Sequence, residues 1–326
     1  MINRQNYLDI KEYLNHLEKI EQLEPATIKR AWSHLRHLLE WADEKPLPKS
    51  QHIDPTFPAY IINYQNEGKP LASSTIIKCL AQARQFYYYA KLTWPGRYKH
   101  LSESWITTLK PPRKIRNRNG LKHHQFYTLE QVKIIAAYQT DNLHLIRAKV
   151  AAAMLFCSGM RADALASLPI SCVDLENNRV LQLPEMGVRT KNYKAGITYL
   201  LPIDELLAII KNWDDLVRKT LPQNCLWYSP LSRDNSRFLP TMNAYVGRNS
   251  TIQKDLRKIC LAAGIPYLSP HKLRHGHVMY AIQHAQTIAD LKAISKNVMH
   301  ASITITDAVY GILSDSDVEK FIKSLK

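Results

Sequence analysis

Residues 269–281 read SPHKLRHGHVMYA. Pro270, at what would be a first helical position, and Ser269 ahead of it as a cap predict a helix over Pro270 to His284. On that helix His271, Arg274 and His275 stand at i, i+3 and i+4 and so share one face. The HxxxH spacing of His271 and His275 raises zinc as a competing idea. Lys272, however, occupies the place of the glutamate in a metalloprotease HExxH, and no nearby cysteine or acidic ligand supports the pair. No metal site is expected.

Two further segments carry the same reactive residue types: SGMRADALASL around Arg161, and VMHASITITDAVYGIL around His300 and Tyr310. The elements between them are mixed. Helices are expected over Leu129 to Tyr138, with Thr128 as cap, over Leu143 to Phe156, and again after Gly159. From Ser171 to Pro202 the pattern changes to short alternating runs, VLQLP and ITYLLP, around turn-like NNR and NYKAG, which predicts a small antiparallel sheet. Helices resume over Asp204 to Val217, Thr251 to Ala263 and Ile288 to Ser295.

The first hundred residues read as helices. Apolar residues recur at helical spacing over Asn6 to Gln22 and Glu24 to Ala42, with Pro25 in the first turn of the second. A further helix is expected over Ala59 to Asn66, and the longest of the region over Ala72 to Leu92. That last one carries Phe86, Tyr87, Tyr88 and Tyr89 between Arg84 and Lys91, a core aromatic stripe beside a basic edge.

The chain has 326 residues, long enough for two domains and a core that needs no staples. Its 45% hydrophobic and 22% charged content excludes global disorder, and its longest apolar run, Val150 to Cys157, is far short of a membrane span. Five scattered cysteines with no CxxC pair argue against a disulfide framework and suit a reducing cytosol. A cytoplasmic protein without a membrane partner is expected.

Charge points to the partner. The chain carries +16, and Gly68 to Leu129 holds twelve basic residues against Glu103 alone, leaving +11 in under a fifth of the length. Such a concentration fits a polyanion, and nucleic acid in particular. Within it, LKPPRKIRNRNGLKHH (109–124) has two prolines, six lysines or arginines and no periodicity, as an extended tether on a phosphate backbone would. Arg84, Lys110, Arg113, Lys114, Arg116, Arg118 and Lys122 are therefore candidate DNA contacts.

HKLRH, the arginine of a G-x-R helix start upstream, and an H-(x)9-Y near the C-terminus together resemble the tyrosine recombinases, the phage-integrase family. The resemblance covers about Tyr127 to Lys326 through several motifs in order; the helical N-terminal part resembles that family's core-binding domain only in architecture and charge. It implies a mainly α fold with a small antiparallel sheet, in two domains that close as a clamp on duplex DNA. The expected division is a helical DNA-binding domain over 1–108, a basic linker over 109–126, and a catalytic domain over 127–326 with a tail over 311–326. It further implies a homo-tetramer acting on two DNA sites, with accessory DNA-bending proteins in some systems, and no cofactor.

By the same resemblance, Tyr310 would attack the scissile phosphate and form a 3′-phosphotyrosine, releasing a 5′-hydroxyl that later attacks a partner strand. The ester keeps the bond energy, so no ATP is needed. Arg161 and Arg274 would grip the non-bridging oxygens, a task that suits a planar, permanently charged guanidinium. His271 would be the base for a tyrosine whose ordinary pKa is near 10, and His300 would donate to a phosphate oxygen. Lys191, at the hairpin in VRTKNYKAGITYLLP, would protonate the leaving 5′-oxygen, with Lys194 as rival for that role and otherwise a DNA contact. The chain departs from the family's usual pattern at Met299, where glycine is common, at Gly311, where histidine is common, and at Ala164, where many members carry glutamate. A type IB topoisomerase, which shares this chemistry, a non-catalytic DNA-binding regulator and a metal-dependent nuclease are the other readings open at this point.

Overall fold

A computed structural model describes residues 1–112 and 125–299. The chain falls into two compact units, Met1–Lys122 and His123–Lys326. Among the described residues no helix is long and apolar enough to cross a membrane.

The first unit contains helices α1 (Arg4–Lys19), α2 (Pro25–Ala42), α3 (Phe57–Asn63), α4 (Ser73–Thr93), α5 (Pro95–Tyr98) and α6 (Glu103–Thr108). A two-stranded ladder, β1 (Gln65–Asn66) with β2 (Lys69–Pro70), precedes α4. Apolar faces at three- and four-residue spacing bring α1, α2 and α4 together over Ile10, Leu35, Leu38, Leu80, Ala83 and Phe86, all fully buried. The aromatic run splits as its spacing requires: Phe86 and Tyr87 are buried, while Tyr88 is 41% exposed. Asp9, buried in α1, accepts from the Tyr98 hydroxyl and from Arg97 Nη1, each at 2.7 Å, so the one carboxylate in this core is satisfied.

The second unit is built on α8 (Leu143–Ser158), preceded by α7 (Leu129–Ala137). Thr128 and Gln131 form a reciprocal capping box at the start of α7. The run around Val150 to Cys157 is apolar on every side because α8 is covered on every side, by α7, by α10 (Asp204–Thr220), by α11 (Asn249–Ala262) and by α12 (His271–His284). A short α9 (Ala162–Ala166) follows α8, and α13 (Ile288–Asn297) ends the described chain. The sheet has three strands in antiparallel order: β3 (Val173–Asp174), β4 (Arg179–Gln182) and β5 (Gly196–Tyr199). Its register pairs Val173 with Val180, Arg179 with Tyr199 and Gln182 with Gly196.

All five cysteines are free and buried, and burial pushes the Cys157 thiol up to about 12. They are packing residues. Some helix bounds differ from expectation: the helix expected over Ala59 to Asn66 is α3, Phe57–Asn63, with Gln65–Asn66 taken into the β1–β2 ladder, and α12 begins at His271, with Pro270 ahead of it and no side-chain cap. The Ser269 carbonyl accepts the Lys272 N–H at 2.8 Å, and this tight turn takes over from the expected hydroxyl cap.

Candidate active site

Helix α8 ends at Gly159, whose φ of +63° is the left-handed conformation that favours glycine. A Cβ there would also sit 2.6 Å from Cδ2 of His277. The chain then extends through Met160 to Arg161, which stands at the N-cap position of α9, half-buried. Arg274, one turn into α12, is only 2% exposed. Its Nη1 donates to the Gly159 carbonyl at 2.8 Å and its Nη2 to the Val298 carbonyl. Two backbone oxygens thus hold the plane of the guanidinium.

His271 packs its ring edge-on against His275, with centroids 4.6 Å apart. It keeps an exposed edge, yet crowding of the ring by protein holds its pKa below the ordinary value, and the positive charges of Arg274, Arg161 and Lys272 push the same way. The two arginines and His271 therefore act on one another electrostatically. The imidazole is neutral at pH 7, the form in which it can accept a proton. His277, on the same helix, is buried and bonds through Nδ1 to the Phe156 carbonyl at 2.7 Å; burial lowers its pKa to about 4.

Lys191 and Lys194 lie exposed in the connection between β4 and β5, where Asn192 and Tyr193 adopt left-handed φ. Arg189, just ahead of them, anchors that connection. Its backbone N–H donates to the Ser167 hydroxyl at 2.8 Å, its guanidinium donates to the Tyr245 carbonyl at 2.9 Å and also reaches the Ala244 carbonyl, and it pairs with Asp163 at 3.5 Å. Since Asp163 lies in the first turn of α9 and Ser167 is its C-cap, the lysine-bearing connection is fastened to the helix that Arg161 opens.

His300 and Tyr310 lie outside the described residues, as do Arg113, Lys114, Arg116, Arg118, Lys122 and the tail over 311–326. Of the other basic candidates, Arg84 is half-buried on α4 and Lys110 is exposed after α6. Among the described residues no group of three or more His, Cys, Asp or Glu could hold a metal ion. Sequence reading missed the Gly159 and Val298 carbonyls, because backbone acceptors leave no mark in residue identity. It also missed a cavity of about 670 Å³ beside α11, lined by His144, Arg147, Arg248, Lys254, Arg257 and Lys258 among others. Four of the five lysines and arginines lie within residues 248–258 beside Asp255, and Arg147 joins them only through the packing of α8 on α11.

Residues 125–316 match the phage integrase family. The tyrosine recombinase XerC of Escherichia coli O127:H6 is 22% identical over 304 residues, covering 92% of this chain and 90% of that protein. A lambda integrase(75-356) dimer bound to a COC' core site superposes with a TM-score of 0.63 at 14% identity, covering 93% of this chain and 94% of that one. The Tn1549 transposon integrase in complex with circular intermediate DNA gives 0.60 at 14%, covering 98% and 99%. These two share the fold. The chain belongs to the phage integrase family, whose members are tyrosine-type site-specific recombinases that cut and rejoin DNA.

Proposed function

We propose that this recombinase cuts each DNA strand with Tyr310 as the nucleophile. The phenolic proton passes to His271, the phenolate oxygen bonds to phosphorus, and the bond from phosphorus to the 5′-oxygen breaks. Lys191, or Lys194 in its place, supplies the proton that the leaving 5′-oxygen needs. Arg161 and Arg274, with His300, stabilise the charge on the non-bridging oxygens, where one preorganised donor is typically worth roughly a hundred- to a thousandfold in rate. The 5′-hydroxyl of a partner strand then reverses the step and completes the exchange. No cofactor enters the balance.

The observation that carries this reading is that Arg274, one turn along α12 from His271, is held by the Gly159 carbonyl two residues ahead of Arg161, with the lysine-bearing connection fastened to α9. The partner is double-stranded DNA, with the +11 stretch of Gly68 to Leu129 on its phosphates. Two DNA sites are brought together by four copies of the chain, with Asp315 to Leu325 of the tail docking on a neighbour, in the service of a mobile element in the cytoplasm.

Covalent trapping tests the chemistry. Wild type and Tyr310→Phe are incubated with supercoiled DNA bearing candidate attachment sequences, in EDTA, and denatured in SDS. An SDS-resistant protein–DNA adduct in wild type alone is expected. An equal adduct in the variant would remove Tyr310 from its role. Relaxation of the supercoils without strand exchange would favour a topoisomerase-like activity instead.

A further inference from the structure

The turn at residues 297–299 touches both halves of the proposed chemistry. Strand β5 is an outer strand of its sheet, so its free edge should leave peptide groups without strand partners. At Tyr199 the side chain of Asn297 fills that place. Its Oδ1 accepts the Tyr199 N–H at 2.7 Å, and its Nδ2 donates to the Tyr199 carbonyl at 3.0 Å. An amide side chain offers one donor and one acceptor at the spacing of a peptide group, and here both are used as a neighbouring strand would use them.

A second link runs beside it. The Thr198 hydroxyl donates to the Asn297 main-chain carbonyl at 2.9 Å and accepts from Gln182 Nε2 on β4 at 2.6 Å. Thr198 and Gln182 are both buried, so the bond between them has no water to replace it. The next two residues extend the clasp in opposite directions. The Val298 carbonyl receives Arg274 Nη2, and the Met299 side chain covers Gly196, where a Cβ would stand 3.0 Å from its Cε. One short turn therefore holds the return strand of the lysine-bearing hairpin on one side and a phosphate-gripping arginine on the other.

We infer that Asn297 is a positioning residue for proton donation: by pairing with Tyr199 it fixes where the hairpin carries Lys191 and Lys194 relative to Arg274. The inference rests on the function proposed above and adds a residue with no reactive group of its own. An error of about 1 Å in a reacting group can cost on the order of a hundredfold in rate. Loss of this two-point clasp is expected to act through such a displacement rather than through DNA binding.

The test replaces the leaving oxygen. A duplex is recovered from a randomised pool by successive rounds of binding to the full-length protein, and the phosphate cut by wild type is mapped. That duplex is then made with either oxygen or sulfur at the bridging 5′ position. A thiol of pKa about 8.5 leaves as thiolate without a proton, so a defect in proton donation vanishes on the sulfur DNA. Asn297→Ala is expected to form adduct about a hundredfold more slowly on oxygen DNA and near the wild-type rate on sulfur DNA. Thr198→Val should show the same pattern more weakly, and it decides the matter if Asn297→Ala does not fold.

Equal losses on both DNAs would overturn the inference, since a merely structural defect cannot tell oxygen from sulfur. Lys191→Ala and Lys194→Ala are measured alongside. If neither is rescued by sulfur, the lysine assignment falls and this inference with it, while the Tyr310 adduct still stands. If wild type forms no adduct on either DNA, the proposed function itself fails.

Discussion

The carbonyl oxygen of Gly159 accepts Nη1 of Arg274 at 2.8 Å, across 115 residues of chain and two residues ahead of Arg161. The backbone turn that ends α8 and launches one arginine thus holds the other in plane. A lysine at 274 would keep the charge but could not span the Gly159 and Val298 carbonyls with a planar fork. Arg274→Lys is expected to slow adduct formation by roughly a hundred- to a thousandfold under single-turnover conditions. Gel-shift affinity should change far less, because the cation remains. A loss of only a few fold would mean that fork geometry is not what the site needs.

Gly276 makes a second close approach. A Cβ there would stand 2.0 Å from the Tyr127 carbonyl oxygen and 2.9 Å from Cε2 of Phe156. Backbone cannot move aside as a flexible side chain can, so Gly276→Ala must displace α12 from the segment at Tyr127, whose N–H donates to the Lys272 carbonyl. Overpacking of a close-packed interior costs about 1–3 kcal/mol and sometimes more. The expected result is a loss at or above the top of that range, read as a lowered midpoint in urea, with activity lost in step. A variant as stable as wild type would show that α12 has room to slide.

The contrast between these two positions explains what could be read in the sequence. Helix α8 announced itself, because a run as apolar as Val150 to Cys157 can only be a buried helix or strand, and its length and alanines favour the helix. The sheet was legible from alternation in VLQLP and ITYLLP. His271 and Arg274 were legible as neighbours, since helical spacing is arithmetic. What holds Arg274 was not, because carbonyls belong to every residue. Asn297 was equally silent: an asparagine near the end of a helix reads as an ordinary stop signal, and only the three-dimensional path of β5 makes it a strand substitute. Met299 falls between the two. Its φ of +54° gives a physical reason why glycine is common at this position, and the contact with Gly196 is what the side chain gains in exchange.

Asp255, 1% exposed in α11, joins that helix to the central α8. It accepts from Arg147 Nε at 3.0 Å and Nη2 at 2.6 Å, from the Tyr228 hydroxyl, and pairs with His144 at 2.9 Å. Arg147, on α8, is itself buried. Asp255→Ala leaves that guanidinium without its carboxylate, and breaking one half of a buried pair costs about 3–5 kcal/mol. For a unit of this size the melting temperature should fall by roughly 10 °C. Asp255→Asn, which keeps the acceptor and loses the charge, should fall less. Equal and small effects for both would mean that packing, not the ion pair, joins α8 to α11.

The pH dependence of cutting follows from the state of His271. Its pKa lies below the ordinary value, first through crowding of the ring and then through the charges of Arg274, Arg161 and Lys272. As a base it works only when neutral, so the rate should be flat down to about pH 6.5, the ordinary imidazole value, and fall only below it. Stability declines over part of the same range and must be separated from it. His277 has a folded pKa of about 4 against an ordinary value near 6.5, so the unfolded chain binds the proton first. Stability from that group is complete above about pH 6.5 and is lost progressively as pH falls through its folded value. Adduct formation is therefore measured by single turnover while circular dichroism reports the folded fraction at each pH. His271→Gln should lower the plateau and remove the acidic limb of the rate while leaving the loss of structure in acid. A wild-type limb centred at or above about pH 6.5 would mean that the arginines do not hold this imidazole neutral, and the base would have to be sought elsewhere.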